Sequence, residues 1–180
     1  MLLIQMTGLS GAGKSTLSQI VKHQLQKDGF AVEILDGDQL RKSMNKDLGF
    51  SKDDRQENIR RLGALAYSLL SQKSIIIIAA INPFEETRKE LEKKYGAKTI
   101  WISCAVEILV KRDTKGLYKR AMLPNDHPDK VSNLSGINDV YEEPMNADLV
   151  IDTAKEPVEE SAKRLMDFIR RSLNPNSLRF

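Results

Sequence analysis

The sequence predicts an α/β fold in which helices flank a doubly wound, five-stranded parallel sheet. Short apolar runs alternate with longer amphipathic segments along the 180 residues, which is the pattern of such a sheet. The isoleucine run at 75–78 suits a central strand that is buried on both faces. A phosphate-binding motif directly after the first apolar run favours the same class. No linker or repeat divides the chain, so we expect one domain over 1–180.

Each element follows from the hydrophobic period. Apolar runs at 2–6, 31–35, 75–81, 98–103 and 147–152 predict strands, and the segments at 14–28, 53–72, 84–95, 105–112 and 157–173 predict helices. Ser51, followed by Asp54, is typical of a helix start. Glu156, Glu159 and Glu160 are expected to begin the last helix, where negative charge suits the helix dipole.

One long segment shows neither the helical period nor the alternation of a strand. Residues 113–146 predict a flap, or lid, that projects from the sheet, because unstructured loops of this length in compact domains are often functional. Residues 174–180 predict a frayed end.

Composition excludes several classes of function. The net charge of +3 comes without a basic stripe interleaved with aromatic residues, so no nucleic-acid partner is expected. Cys104 is the only cysteine, which excludes an internal disulfide and a cysteine-rich metal site. No signal peptide and no apolar run of membrane-spanning length is found. We therefore expect a cytoplasmic protein without a membrane partner.

The strongest motif is GLSGAGKS at 8–15, which matches G-x-x-x-x-G-K-[ST] between a predicted strand and a predicted helix. In this loop, the P-loop, backbone N–H groups and the helix N-terminus bind phosphate. Lys14 is expected to reach the β- and γ-phosphates, and the Ser15 hydroxyl to bind Mg²⁺. The predicted nucleotide-binding residues are Gly8, Leu9, Ser10, Gly11, Ala12, Gly13, Lys14, Ser15 and Thr16.

The P-loop leaves open a small kinase, an NTPase switch or motor, and a binding module. The third predicted strand is followed by Asn82-Pro83 rather than by an acidic residue, and no Asn-Lys-x-Asp pattern for reading guanine is found. Both observations favour a small-molecule kinase.

A second polar cluster follows the second predicted strand. Asp36-Gly37-Asp38 lies where ligands bind in doubly wound sheets, and a carboxylate there suits the orientation of an acceptor hydroxyl. Arg41, about one turn later, is placed to hold an anionic acceptor. The alternative is a turn with a helix N-cap. On the next helix Arg55 and Asn58 recur at helical spacing with Arg61 (or Arg60), which fits either a polar site or a solvated face.

Together these residues resemble the adenylylsulfate (APS) kinase family of P-loop kinases. The matching segments are GLSGAGKST, LDGDQLR, GFSKDDRQENIRR, RDTKGLYKRA, SGINDVYEEP and ADLVIDT, in family order over about 7–153. The resemblance implies Mg²⁺-dependent transfer of the γ-phosphoryl group of ATP to the ribose 3′-hydroxyl of APS. The product is 3′-phosphoadenylylsulfate, in sulfate activation. The family is commonly dimeric, so a homodimer is a candidate assembly.

The resemblance also implies residue roles. Asp38 is expected to act as the base for the acceptor hydroxyl, supported by Asp36, and Lys115 to contact either the substrate or the transferring phosphoryl group. Arg112 resembles a lid arginine and is expected to contact ATP. The implied acceptor-binding residues are Asp38, Arg41, Phe50, Arg55, Asn58, Ile81, Asn82, Lys115 and Leu134.

The chain departs from the family pattern at three positions. Asn82 stands where the family usually has a serine, which excludes a covalent phosphoserine route there. Leu134 replaces a phenylalanine that stacks on the acceptor adenine, and Met122 replaces an arginine. The altered flap keeps a second hypothesis open, a kinase acting on another nucleotide conjugate such as a CDP-linked one. A third is an ATP-binding regulatory module without transfer activity.

Overall fold

The computed structural model describes residues 1–174, so 175–180 of the predicted frayed end lie outside the described residues. The strands are β1 (Leu2–Thr7), β2 (Val32–Asp36), β3 (Ile75–Ala79), β4 (Lys98–Ser103) and β5 (Leu149–Asp152). They form one parallel sheet in the order β2-β3-β1-β4-β5. This arrangement confirms the predicted doubly wound sheet.

The helices are α1 (Lys14–Lys27), α2 (Gly37–Lys42), α3 (Lys52–Leu69), α4 (Glu85–Tyr95), α5 (Val106–Arg112), α6 (Leu117–Ala121) and α7 (Val158–Leu173). Helices α1 and α7 pack together on one face of the sheet, and α3 and α4 pack on the other. The isoleucine run shows why both faces are covered. Ile75 and Ile77 belong to the core under α1 and α7, whereas Ile76 and Ile78 belong to the core under α3 and α4.

The predicted elements agree with the observed ones apart from their ends. Ser51 caps α3, accepting a hydrogen bond from the backbone N–H of Asp54, as its spacing predicts. The expectation that Glu156 begins the last helix is wrong. Pro157 is the N-cap, with the extended ψ of 154°, and the helix begins only at Val158. Helices α2 and α6 are too short to show a clear period in the sequence.

The flap at 113–146 lies on the body of the molecule instead of projecting from it. Tyr118, Ala121 and Leu134 are buried and belong to the core cluster around β1. Gly136 packs against Leu9 of the P-loop so closely that an added Cβ would lie 2.7 Å from a Leu9 methyl carbon. This packing could not be predicted from the sequence, because the buried residues of the flap follow no regular spacing. Within residues 1–174, no helix is both long and apolar enough to cross a membrane.

Candidate active site

The P-loop joins β1 to α1 at the carboxyl edge of the sheet. Gly8 has a φ of 150°, and an added Cβ would lie 2.3 Å from the carbonyl oxygen of Ile102 on β4, so only glycine fits this approach. Gly13, with a φ of 105°, caps the N-terminus of α1 without a side chain. The helix N-terminus therefore faces the loop, which is the geometry of a phosphate site.

Lys14 is buried beneath this loop. Its Nζ donates hydrogen bonds to the carbonyl oxygens of Gly8 at 2.7 Å and Leu9 at 2.8 Å. Burial lowers the pKa of Lys14 to about 8, against the opposing attraction of Asp38 and Asp36. The side chain is a cation at neutral pH, positioned for a polyanion to bind over it.

Asp36 has two roles. Its Oδ1 accepts hydrogen bonds from the backbone N–H groups of Asp38 at 2.9 Å and Gln39 at 3.1 Å, which caps α2. Its Oδ2 accepts from the Ser15 hydroxyl at 3.0 Å. The helix-cap interpretation and the site interpretation of Asp36-Gly37-Asp38 are therefore compatible.

The pairing of Ser15 with Asp36 fits a magnesium ion. Hydroxyl and carboxylate oxygens are hard ligands, and Mg²⁺ is usually held by one or two carboxylates together with substrate phosphates. Among the described residues, no group of three or more His, Cys, Asp or Glu side chains would hold a metal by itself. The donor set suits an ion that arrives with the nucleotide.

Asp38 is the second residue of α2, two positions beyond the Asp36 cap, and forms an ion pair with Lys115 of the flap. Burial raises the pKa of Asp38, but the Lys115 hydrogen bond and charge, with the charges of Lys14 and Lys42, outweigh burial and lower it below the ordinary value. The group is therefore a carboxylate at neutral pH, able to accept a hydrogen bond from a hydroxyl.

Three cavities meet along this edge. The P-loop cavity, of about 180 Å³, is lined by the P-loop, Asp36, Asp38, Lys115 and the end of β3. A β2-side cavity of about 60 Å³ shares Asp38, Ala80 and Ile81 with it. A β5-side cavity of about 440 Å³ shares Gly11, Gly13 and Thr16 with it. The strand order explains the arrangement, because β2 and β5 lie on opposite sides of β1.

Most of the predicted acceptor residues gather at the β2-side cavity. It is lined by Gly37, Asp38, Arg41, Phe50, Arg55, Asn58, Ile59, Ala80, Ile81, Asn82 and Pro83. Lys115 lines the P-loop cavity instead, and Arg112 lines the β5-side cavity. Leu134 lines none of the three cavities, because its side chain is buried in the core. The ligand contacts of all these residues stay predictions.

Arg55 connects the β2-side cavity to the flap. Its Nε donates to the Phe50 carbonyl oxygen at 2.9 Å, and its Nη1 donates to the Ser135 hydroxyl at 3.1 Å. Its Nη2 pairs with Asp139 at 2.9 Å and donates to the Asn133 carbonyl oxygen. Arg55 thus joins the flap to the wall of this cavity.

Phe50 presents an aromatic surface at the rim of the same cavity. Its side chain is exposed, and the guanidinium groups of Arg41 and Arg55 lie 4.9 Å and 5.5 Å from its ring centroid. A ring flanked by two cations suits a planar anionic ligand such as a nucleotide.

Asn82 is a structural residue in the connection from β3 to α4. Its φ is 43°, in the left-handed region that asparagine tolerates. Its Nδ2 donates to Gln5 Oε1 at 3.0 Å, and its Oδ1 accepts from the Thr87 hydroxyl at 2.9 Å. Both the nitrogen and the oxygen of the amide are therefore hydrogen-bonded to side chains in the interior.

Sequence reasoning missed the residues that attach the flap to this connection. Arg88, buried in α4, donates to the carbonyl oxygens of Asn82 at 2.8 Å and Glu142 at 2.6 Å. Tyr141 shares a 3.0 Å hydrogen bond with Thr7. A signal was present, because Arg88 lies three residues before the buried Leu91 and so shares its helix face.

A phosphate loop, a magnesium-compatible pair and a carboxylate facing an adjoining cavity define a P-loop phosphotransferase. Comparison with known proteins shows to which family within this class the chain is similar. The family model for adenylylsulphate kinase matches residues 1–152. The adenylyl-sulfate kinase of Bacillus velezensis is 43% identical over 95% of this chain and 86% of its own length. The adenylyl-sulfate kinase of Bacillus pumilus is 41% identical over 93% of this chain and 84% of its own.

A solved structure that resembles this chain belongs to the same family as these relatives. The APS kinase of Mycobacterium tuberculosis, in complex with AMPPNP and APS, superposes with a TM-score of 0.85 at 31% identity, covering 94% of this chain and 97% of its own. The chain belongs to the adenylylsulphate kinase family.

Proposed function

We propose that this protein is an ATP-dependent kinase that phosphorylates the ribose 3′-hydroxyl of APS. One observation carries the proposal: Asp38 lines both the P-loop cavity and the β2-side cavity. A γ-phosphoryl group held by the P-loop and an acceptor hydroxyl in the neighbouring cavity therefore meet at one carboxylate. Family membership supports APS as the acceptor.

In this mechanism Asp38 orients the hydroxyl for in-line attack and receives its proton as the new bond forms. Its lowered pKa suits this order, because phosphoryl transfer through a loose transition state needs positioning more than early deprotonation. Lys115, which pairs with Asp38, and Lys14 supply positive charge where negative charge spreads over the equatorial oxygens. P-loop N–H groups complete the cradle.

Magnesium is the cofactor we propose, held by Ser15 with Asp36 beside it. When bound, it neutralises charge on the β- and γ-phosphates. Asp36 would keep the Ser15 oxygen oriented, since the two side chains are already hydrogen-bonded.

The acceptor would lie in the β2-side cavity. Phe50 offers a surface for base stacking, and Arg41 and Asn58 offer polar contacts to the anionic and ribose portions. Arg55, tied to Asp139, would hold the flap over the bound acceptor and exclude water. Leu134 would support this closure from the core instead of stacking on the base.

An ADP-release assay tests the proposal. Purified protein with Mg·ATP is given APS, a CDP-linked nucleotide or no acceptor, each at micromolar concentration. APS is expected to stimulate ADP release strongly above the other two. Stimulation by the CDP-linked compound alone would establish the second hypothesis, and ATP binding without transfer to any acceptor would establish a regulatory module.

Three broader expectations remain proposals. One kinase domain spans 1–180, with 113–146 as its flap, and its site of action is the cytoplasm. A homodimer is the assembly that we propose, although a related APS kinase of Thiobacillus denitrificans is hexameric. Light scattering of the purified protein measures the assembly directly.

A further inference from the structure

The connection from α2 to α3, residues 43–51, contains one fully buried side chain. Asn45 is enclosed, whereas the other residues of this connection are exposed or half-buried. Its backbone N–H donates to the Leu40 carbonyl oxygen at 3.0 Å, and its own carbonyl oxygen accepts from the Leu48 N–H at 3.1 Å. Burying a polar side chain costs free energy, so the enclosure of Asn45 in an exposed connection calls for an explanation.

The side chain of Asn45 is bonded to a residue of the candidate site. Its Nδ2 donates at 2.9 Å to Oδ1 of Asn58, which lines the β2-side cavity. Its own Oδ1 is buried and, within residues 1–174, receives no hydrogen bond. In the described part of the chain, Asn58 is therefore the one polar partner of this buried amide.

The bond gives the amide of Asn58 a direction. A primary amide accepts at its oxygen and donates at its nitrogen, so a donor held against Oδ1 leaves Nδ2 pointing elsewhere. No group among the described residues accepts from Asn58 Nδ2, yet this atom is not fully enclosed by protein. Its two N–H groups are thus open to a ligand at the cavity that Asn58 lines.

The other donors of this cavity are already in use. All three guanidinium nitrogens of Arg55 are bonded to groups of the protein. Arg41 uses Nη1 on the carbonyl oxygens of Leu48 at 3.4 Å and Gly49 at 2.5 Å. The free amino group of Asn58 is therefore a principal neutral donor for an oxygen-rich ligand, and its direction matters.

We propose that Asn45 is a positioning residue, which holds Asn58 with its amino group toward the phosphoryl acceptor. The reverse pairing, with Asn58 donating to Asn45, would turn the Asn58 oxygen toward an anionic ligand and repel it. Asn45 acts through Asn58 and does not itself line the cavity. This inference rests on the proposed function, in which an anionic nucleotide occupies the β2-side cavity.

Asn45→Ala is expected to raise KM for APS about tenfold, the effect of one correctly directed hydrogen bond. The kcat and the affinity for ATP are expected to stay within about twofold, because the side chain bonds neither the P-loop nor Asp38. In the double variant with Asn58→Ala, KM is expected to equal that of Asn58→Ala alone. An unchanged KM in Asn45→Ala, or fully additive effects in the double variant, would overturn the inference.

Gln56→Ala is the matched control. Gln56 is a buried amide two residues before Asn58 on α3, and its Nε2 donates to Glu86 Oε2 at 2.9 Å. It lines none of the three cavities of the site. Both substitutions are expected to lower the midpoint of urea unfolding, but only Asn45→Ala is expected to raise KM for APS. An equal rise in Gln56→Ala would assign the effect to lost stability and contradict the positioning role.

NMR of the side-chain amides tests the direction of the pair in the unchanged protein. The amino protons of Asn45 are expected to exchange slowly with water, and those of Asn58 to exchange quickly until APS is added. The opposite pattern in the free protein would overturn the inference, as would an Asn58 signal unaffected by APS in a protein that phosphorylates it. An Asn58 signal that responds to APS without phosphoryl transfer would support the positioning role and refute the proposed function.

Discussion

At the residue scale, the site depends on a small number of charged groups whose environments set their states. Lys14 is buried against two carbonyl oxygens, and Asp38 is surrounded by three lysines. Burial weakens the positive charge of Lys14, whereas the lysines strengthen the negative charge of Asp38. Each shift leads to a separate prediction.

Asp38→Asn is expected to lower kcat by about 10²–10⁴-fold, because the amide neither accepts the hydroxyl proton nor carries the charge that orients it. The affinity for ATP is expected to change little, since the P-loop is intact. Steady-state kinetics and calorimetry measure the two effects. A near-normal kcat would show that Asp38 is not the base.

The affinity for ATP is expected to fall as the pH rises through about 8. Below this pH, Lys14 is charged both in the free protein and in the complex, so its titration adds no pH dependence. Above it, the free protein holds Lys14 neutral, whereas the triphosphate favours the charged form, so binding takes up a proton. The dissociation constant then rises by up to about tenfold per pH unit.

Calorimetry between about pH 7 and about pH 9.5 measures this dependence. Lys14→Arg is the control, because arginine stays protonated throughout this range and should remove the slope even if binding is weaker. A flat profile in the unchanged protein, or the same slope in Lys14→Arg, would contradict the assignment to Lys14.

At the scale of elements, the flap and the connection from β3 to α4 behave as one unit. Arg88 binds the carbonyl oxygens of both, and the backbone N–H of Glu142 donates to the Pro83 carbonyl oxygen at 2.8 Å. The flap is also tied to α3 through the pairing of Asp139 with Arg55 and, near its start, to α2 through the pairing of Lys115 with Asp38. We therefore expect closure over the acceptor to involve the walls of both cavities that meet at Asp38.

Gly136→Ala tests the contact between the flap and the P-loop. The added Cβ would lie 2.7 Å from a Leu9 methyl carbon, so the flap must shift. We expect a higher KM for the acceptor and several-fold more ATP hydrolysis relative to transfer. Gly29→Ala is the matched control, since its φ of 87° resembles the 84° of Gly136 but nothing lies within 4 Å of its Cβ.

Both substitutions carry the left-handed backbone strain of about 1–2 kcal/mol, so both are expected to lower stability. Only Gly136→Ala is expected to change the ratio of hydrolysis to transfer. Equal ratios in the two variants would show that flap docking does not exclude water.

Asn82→Ser tests whether this position is structural. The substitution removes both hydrogen bonds of the amide, to Gln5 and to Thr87, and is expected to lower the free energy of unfolding by about 1–3 kcal/mol. Turnover is not expected to increase, because direct transfer needs no phosphoserine. Urea unfolding and steady-state kinetics give the two values. A stable variant with higher kcat would contradict both expectations.

At the scale of the whole molecule, the strand order determines the layout of the site. The P-loop follows the central strand β1, and the two adjoining cavities open on opposite sides of it, toward β2 and toward β5. Under the proposed function, donor and acceptor bind on opposite sides of β1 and meet beside Asp38, Ala80 and Ile81, which line both the P-loop cavity and the β2-side cavity. This arrangement is the crevice expected where the connections of a doubly wound sheet reverse direction.

The regular parts of this architecture were predictable from the sequence. The period of the apolar residues placed all five strands, and the P-loop spacing and Asp36-Gly37-Asp38 indicated a candidate site that the structure forms at one edge of the sheet. The irregular parts were not, because burial in them depends on tertiary contacts and not on period. The burial of Leu134 in the flap and of Arg88 in α4 was not predicted, and Glu156 was expected in the last helix but lies before it, at the wall of a cavity.

The central claim is that the γ-phosphoryl group of ATP moves to the 3′-hydroxyl of APS. It is tested most directly by ³¹P NMR of the product formed from Mg·ATP and APS, with 3′-deoxy-APS as the control acceptor. A new phosphomonoester on the 3′-oxygen of APS, formed with ADP and absent with the 3′-deoxy compound, is the predicted result. ADP formed with only inorganic phosphate, or an equal reaction with the 3′-deoxy compound, would contradict it.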